Sequence, residues 1–172
     1  MTPEFSRPER VEAIGGETRS IAIEADADER RRLAARFGLV AIDRLFGRFA
    51  LGRDASGIAV DGIVEAIVTQ ACSVTGDPVA ANLAETVALR FIEAVPLGED
   101  IELDDGALDT IVIEGDVIDF GEIAAETMAL ALDPFPRGPG AVEALKAASV
   151  IGEGEVVRFG TLAGLKAMLD ER

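Results

Sequence analysis

The sequence predicts an α+β domain in which an antiparallel sheet carries two packed helices. Three observations lead there. Residues 58–71 alternate, with Ile58, Val60, Val64, Ala66 and Val68 on one parity and Asp61, Glu65 and Thr69 on the other, the pattern of a strand with one face in a core. Residues 79–93 alternate again through Leu83, Val87, Leu89 and Phe91 after a turn holding Gly76, Asp77 and Pro78, so the two runs read as a long antiparallel hairpin. Asp26 with Glu29, and Asp119 with Glu122, are acid pairs three residues apart, a spacing that satisfies free N–H groups at a helix start.

In chain order, residues 19–25 read as a short strand and residues 27–37 as a helix, with Leu33 and Phe37 on one face and Gly38 as its stop. Arg32 and Arg36 are neighbours on the outer surface of that helix, and Arg30 and Arg31 are splayed around its first turns. These four arginines form the basic cluster of the chain, open to two readings: a solvated face paired with nearby acids, or a contact surface for RNA or a protein. Residues 40–53 read as a strand. Ile63 and Ile67 interrupt the polar parity of the next one, so a helix, the one starting at Phe120, is expected to cover part of that face.

Residues 96–109 are crowded with acids. A calcium loop beginning at Asp100 would place Asp105 where glycine is required and Ile111 where a bidentate glutamate is required, so a solvated loop is expected instead. Strand segments follow at 110–113 and 117–118. Residues 120–132 read as the second helix, with Ile123, Thr127, Leu130 and Ala131 on one face and Glu122 and Glu126 on another, ended by Asp133-Pro134. Short helices at 141–148 and 161–169 close the chain. The sheet is expected to hold five to seven strands, either open or curled into a barrel-like form. The organisation expected is one domain over residues 1–140 and a helical C-terminal extension over 141–172 packed on it.

Composition narrows the chemistry. At 172 residues and 49% hydrophobic content the chain supports one ordinary core. It has no run of about 18 apolar residues and no apolar stretch at its start, so no membrane association and a cytoplasmic location are expected. One cysteine and no histidine exclude an internal disulfide, a zinc site of the usual N/S type and any Ser-His or Cys-His pair. Cys72 reads as a small, half-buried residue at a strand end rather than a nucleophile. No phosphate-binding Gly-x-x-x-x-Gly-Lys occurs. The carboxylate pairs Asp116/Asp119 and Glu122/Glu126 would be the raw material of a hydrolase, but capping and an i,i+4 surface pair account for most of them. No enzyme activity, cofactor, metal or small-molecule substrate is expected.

Charge is uneven. Residues 1–53 hold ten Arg against nine acids, a net of +1, while residues 54–172 carry a net of −17. Such a surface repels phosphate backbones and attracts basic proteins, so any direct RNA contact must use the arginine-rich first third. With no Trp or Tyr and eight Phe at core-compatible positions, a base-stacking platform is not indicated.

Two stretches also carry a resemblance. Ile118, Asp119, Phe120, Glu122, Glu126, Leu130, Leu132, Pro134 and Pro136 follow a pattern of hydrophobic residue, Asp, large apolar residue and Glu, then a Glu/Ala/Leu helix closing on a proline pair. Upstream, Gln70 to Val79 holds a cysteine-centred turn between two strands. In order and separation these segments resemble the YceD family of bacterial and chloroplast proteins, and the opening run Glu4 to Pro8 with the helix run Glu29 to Leu39 looks like its alphaproteobacterial branch. The family is a domain of unknown function linked to accumulation of large-subunit ribosomal RNA. Many members have Cys-x-x-Cys where this chain has Cys72-Ser-Val-Thr75, so a structural metal inferred from them does not transfer. The resemblance implies a non-enzymatic factor supporting synthesis, processing or stability of 23S ribosomal RNA, with that RNA or a basic ribosomal or assembly protein as partner. The alternative is an acidic adaptor acting outside ribosome assembly. Cys72, Asp119, Glu122, Glu126, Pro134 and Pro136 are the motif positions, expected to be structural.

Overall fold

The computed structural model describes residues 3–93 and 109–148. The expected acidic loop, apart from Asp109, and the expected helix at 161–169 lie outside the described residues. The elements are β1 (Pro8–Arg10), β2 (Arg19–Glu24), α1 (Ala27–Phe37), β3 (Ala41–Asp54), β4 (Gly57–Ala71), β5 (Pro78–Ile92), β6 (Asp109–Val112), β7 (Val117–Asp119), α2 (Phe120–Leu130) and α3 (Ala141–Ala147). One 3-10 turn, Val11–Ala13, follows β1. The fold is α+β, as the alternation and the capped helices predict.

Five strands form one sheet in the order β2-β3-β4-β5-β6, and β1 and β7 pair separately. The barrel alternative is therefore corrected. The terminal strands β2 and β6 are only six and four residues long, and the short strands β1 and β7 pair with each other instead of bridging them. The sheet is also not wholly antiparallel, because β6 runs parallel to β5. The sixteen residues between Ile92 and Asp109 are a connection of the length that parallel pairing needs, whereas a tight hairpin would have reversed the chain.

The apolar parity of β4 is buried throughout, with Ile58, Val60, Val64, Ala66 and Val68 between 0% and 3% exposed. Leu45, Phe49 and Leu51 of β3 continue this face. Here α2 docks, the Phe120 ring lying 5.2 Å from that of Phe49 at an interplanar angle of 54°. The expectation that α2 covers the Ile63/Ile67 face is thus overturned: the helix follows the continuous apolar face, and Ile67 stays 38% exposed. The buried stripe of α2 is likewise corrected. Phe120, Ile123, Ala124, Ala125 and Met128 face inwards while Leu130 is 88% exposed, because the largest side chain, Phe120, fixes the rotation of the helix.

Two glycines make room for this packing. Phe49 lies opposite Gly62 in the β3–β4 register, and a Cβ on Gly62 would meet Phe49 Cδ1 at 2.6 Å, so the bare strand seats the ring. Gly121 lets the N-terminal segment cross the first turn of α2, since a Cβ there would lie 2.5 Å from the backbone oxygen of Phe5. Backbone cannot rotate away as a side chain can. Gly121→Ala is accordingly expected to lower stability by about 1–3 kcal/mol, read as a fall in thermal midpoint together with faster proteolysis before residue 8.

Candidate functional site

Motif residue Asp119 joins three parts of the chain. Its Oδ1 accepts from the N–H groups of Gly121 (2.9 Å) and Glu122 (3.4 Å), capping α2 as the sequence predicts. The same oxygen accepts from Arg7 N–H at 2.7 Å, and Oδ2 accepts from the Ser6 hydroxyl at 2.6 Å. The cap therefore also pins the N-terminal segment, whose β1 pairs Pro8 with Asp119. Glu122 does not complete a capping box by accepting in return from the Asp119 N–H. Glu122 instead takes two guanidinium N–H groups of Arg36, at 2.6 and 3.0 Å, linking α2 to α1.

This geometry divides the four helix arginines. The Arg36 guanidinium is closed between Glu122 and Glu4, and the Glu122 carboxylate is the main reason its proton is held more tightly than in a free arginine. Arg31 is paired with Asp28 one turn earlier. Arg30 donates to the carbonyl of Ala25 and Arg32 to that of Glu4, so neither has a carboxylate in a hydrogen bond or ion pair among the described residues. The basic face thus offers two available charges rather than four. A pair i,i+3 is visible in sequence; the Arg36–Glu122 link, 86 residues apart, is not.

The cysteine turn and the proline exit meet at the far end of the β4–β5 hairpin. Ser73 N–H donates to the Pro136 carbonyl at 2.8 Å, and the Gln70 amide donates to that of Asp133 at 2.9 Å. Cys72 is buried, and its Sγ accepts from the N–H groups of Gly138 (3.3 Å) and Thr75 (3.5 Å). Those donors, Gly138 first, pull the thiol pKa down to about 6 against the opposing effect of burial. Cys72 is thus fully buried rather than half-buried. Pro136 is buried beside the turn, whereas Pro134 is exposed and Phe135 between them is 70% exposed. Glu126 points to solvent on α2 without a hydrogen bond or ion pair among the described residues.

The two motif stretches are therefore neighbours in space: the start of the first clamps the N-terminal segment and α1, and its proline exit closes on the second, the cysteine turn of the β4–β5 hairpin. Residues 60–166 match the family model described as Large ribosomal RNA subunit accumulation protein YceD, well over half of the chain. The chain belongs to the YceD family. No curated protein and no solved structure matches it. The YceD match takes in β4 from Val60, then β5, β6, β7, α2 and α3, and leaves out α1 with its arginines. The family name carries a role in accumulation of the large ribosomal subunit RNA. Among the described residues no helix is long and apolar enough to cross a membrane, and no three His, Cys, Asp or Glu side chains gather as for a metal ion.

Proposed function

We propose that this YceD protein is a non-enzymatic, cytoplasmic factor that supports synthesis, processing or stability of 23S ribosomal RNA by way of a basic ribosomal or assembly protein. The family match over residues 60–166 carries this reading. Charge favours the protein-mediated route. Residues 54–172 hold a net −17, and of the four α1 arginines only Arg30 and Arg32 lack a carboxylate partner. Two cations neutralise few phosphates and give a weak, weakly salt-dependent grip on RNA.

The test is affinity capture of the tagged protein from its own cells, with and without ribonuclease, reading both proteins and RNA. Large-subunit components are expected, and the proteins among them are expected to persist after ribonuclease. Recovery only of RNA-tethered material would move the contact to RNA. Recovery of a different partner with no large-subunit component would replace this reading by that of an acidic adaptor.

A further inference from the structure

Between α2, β6 and β7 lies an open groove of about 300 Å³. Phe91, Ile118 and Ile123 are buried at its base, while Ile111, Val112 and Val117 stand 40–49% exposed along it. Three of the eight large apolar side chains exposed among the described residues are thus gathered in one place, where isolated exposed apolar residues would need no explanation. Every charged residue lining the groove is an acid: Glu114, Asp119, Glu122 and Glu126. Asp119 and Glu122 are engaged by the cap and by Arg36. Glu114 and Glu126 have neither hydrogen bond nor ion pair among the described residues.

An apolar trough whose rim keeps two unpaired acids, Glu114 and Glu126, selects its occupant. Phosphate backbones are repelled by the rim. A second copy would bring a chain of net charge −16, residues 94–108 of this chain contain five acids and no cation, and residues 149–172 hold four acids against three cations, so none of these carries the net positive charge that complements it. An extended peptide with Lys or Arg beside an apolar residue does, because successive side chains of an extended segment point to opposite sides and one can enter the trough while its neighbours reach the rim.

We propose that this groove docks an extended, cationic segment of a basic partner protein, an apolar side chain lying against Ile123 and Val117 and flanking cations meeting Glu114 and Glu126. The inference rests on the protein-mediated reading above and names the surface and the partner chemistry it uses. A groove of this volume holds two or three side chains, so the contact is of the peptide-docking kind, with affinity in the micromolar range of about 1–100 μM.

The test uses the full chain and a fluorescent twelve-residue peptide of alternating Lys and Ile, read by polarisation. Companion peptides replace every Lys by Glu or every Ile by Ser. The protein variants are Glu114→Lys with Glu126→Lys, and, as a control of equal charge change on other exposed acids, Asp61→Lys with Glu143→Lys. The rim variant is expected to lose at least tenfold in affinity and the control less than twofold, with both companion peptides binding at least tenfold more weakly than the parent. Equal losses in the two variants would reduce the effect to net charge and overturn the docking site. Repeating the cellular capture separates the two proposals. Large-subunit components retained by the rim variant would sink the groove and leave the proposed function standing. A groove-dependent peptide with no large-subunit component captured by wild type would do the reverse.

Discussion

Phe120→Ala is expected to destabilise the protein by about 3–5 kcal/mol, the range for deleting a buried aromatic ring. The residue is 0% exposed, packs its ring at a tilt against that of Phe49 and follows directly on the Asp119 cap. It is also the largest apolar side chain that α2 inserts into the core, its neighbours on the buried stripe including Ala124 and Ala125. The space left behind closes poorly. On one side is the first turn of a helix whose backbone is tied to the N-terminal segment, Phe120 N–H donating to Arg7 O at 3.1 Å, and on the other a strand pair made bare by Gly62. Against a total stability of about 5–15 kcal/mol for a domain of this kind, that loss is a large fraction. Urea unfolding followed by circular dichroism measures it. A loss below about 1.5 kcal/mol would mean that caps and ion pairs, not the ring, hold α2 in place. Phe120→Met, which keeps most of the volume, should lose clearly less.

What could be read from the sequence and what could not divide along contact range. Helix α1 was visible at both ends because its signals are local: Asp26 and Glu29 form a complete capping box and Gly38 adopts a left-handed φ of 66°. The core face of β4 was visible because its period of two lies within fifteen residues. The rotation of α2 was not. Its sequence offers two stripes of small and apolar residues, and the choice between them is made by Phe49, some seventy positions away in the chain. The ribbon of β1 with β7 was hidden for a similar reason, since three residues beginning with proline show no alternation and their partner is more than a hundred residues on. Asp119 was legible as a cap, yet its bonds to Ser6 and Arg7 span 113 and 112 residues. The groove was equally silent, because Ile111 and Val117 look like ordinary strand residues until β6, β7 and α2 are placed side by side.

Arg7→Met is expected to cost about 2–3 kcal/mol at neutral pH, less than the figure for breaking a fully buried pair because the arginine is 36% exposed. The reason lies mostly with the partner. Glu29 is the one charged or polar residue buried among those described, at 8% exposure, and the Arg7 fork meets its two oxygens at 2.8 and 3.0 Å. Arg7 also donates to the carbonyls of Ser6 and Glu24 and lies 4.7 Å over the Phe5 ring, so one side chain joins the N-terminal segment, β2 and α1. Removing it leaves the carboxylate with only the Asp26 N–H, at 2.8 Å. The Arg7 hydrogen bonds, working against burial, hold the Glu29 carboxyl below its ordinary value of 4.5. A carboxyl lowered on folding adds stability above its unfolded pKa and loses it as pH falls through the folded one. The gap between wild type and Arg7→Met should therefore be full at pH 7 and shrink as the pH is taken below 4.5. Adding Glu29→Gln to Arg7→Met should recover part of the loss, because the amide oxygen still accepts from Asp26 while the unpaired charge is gone. A gap that is absent at pH 7, or unchanged between neutral and acid pH, would show that the pair only decorates the surface and that the N-terminal segment is held by Asp119 and backbone pairing alone.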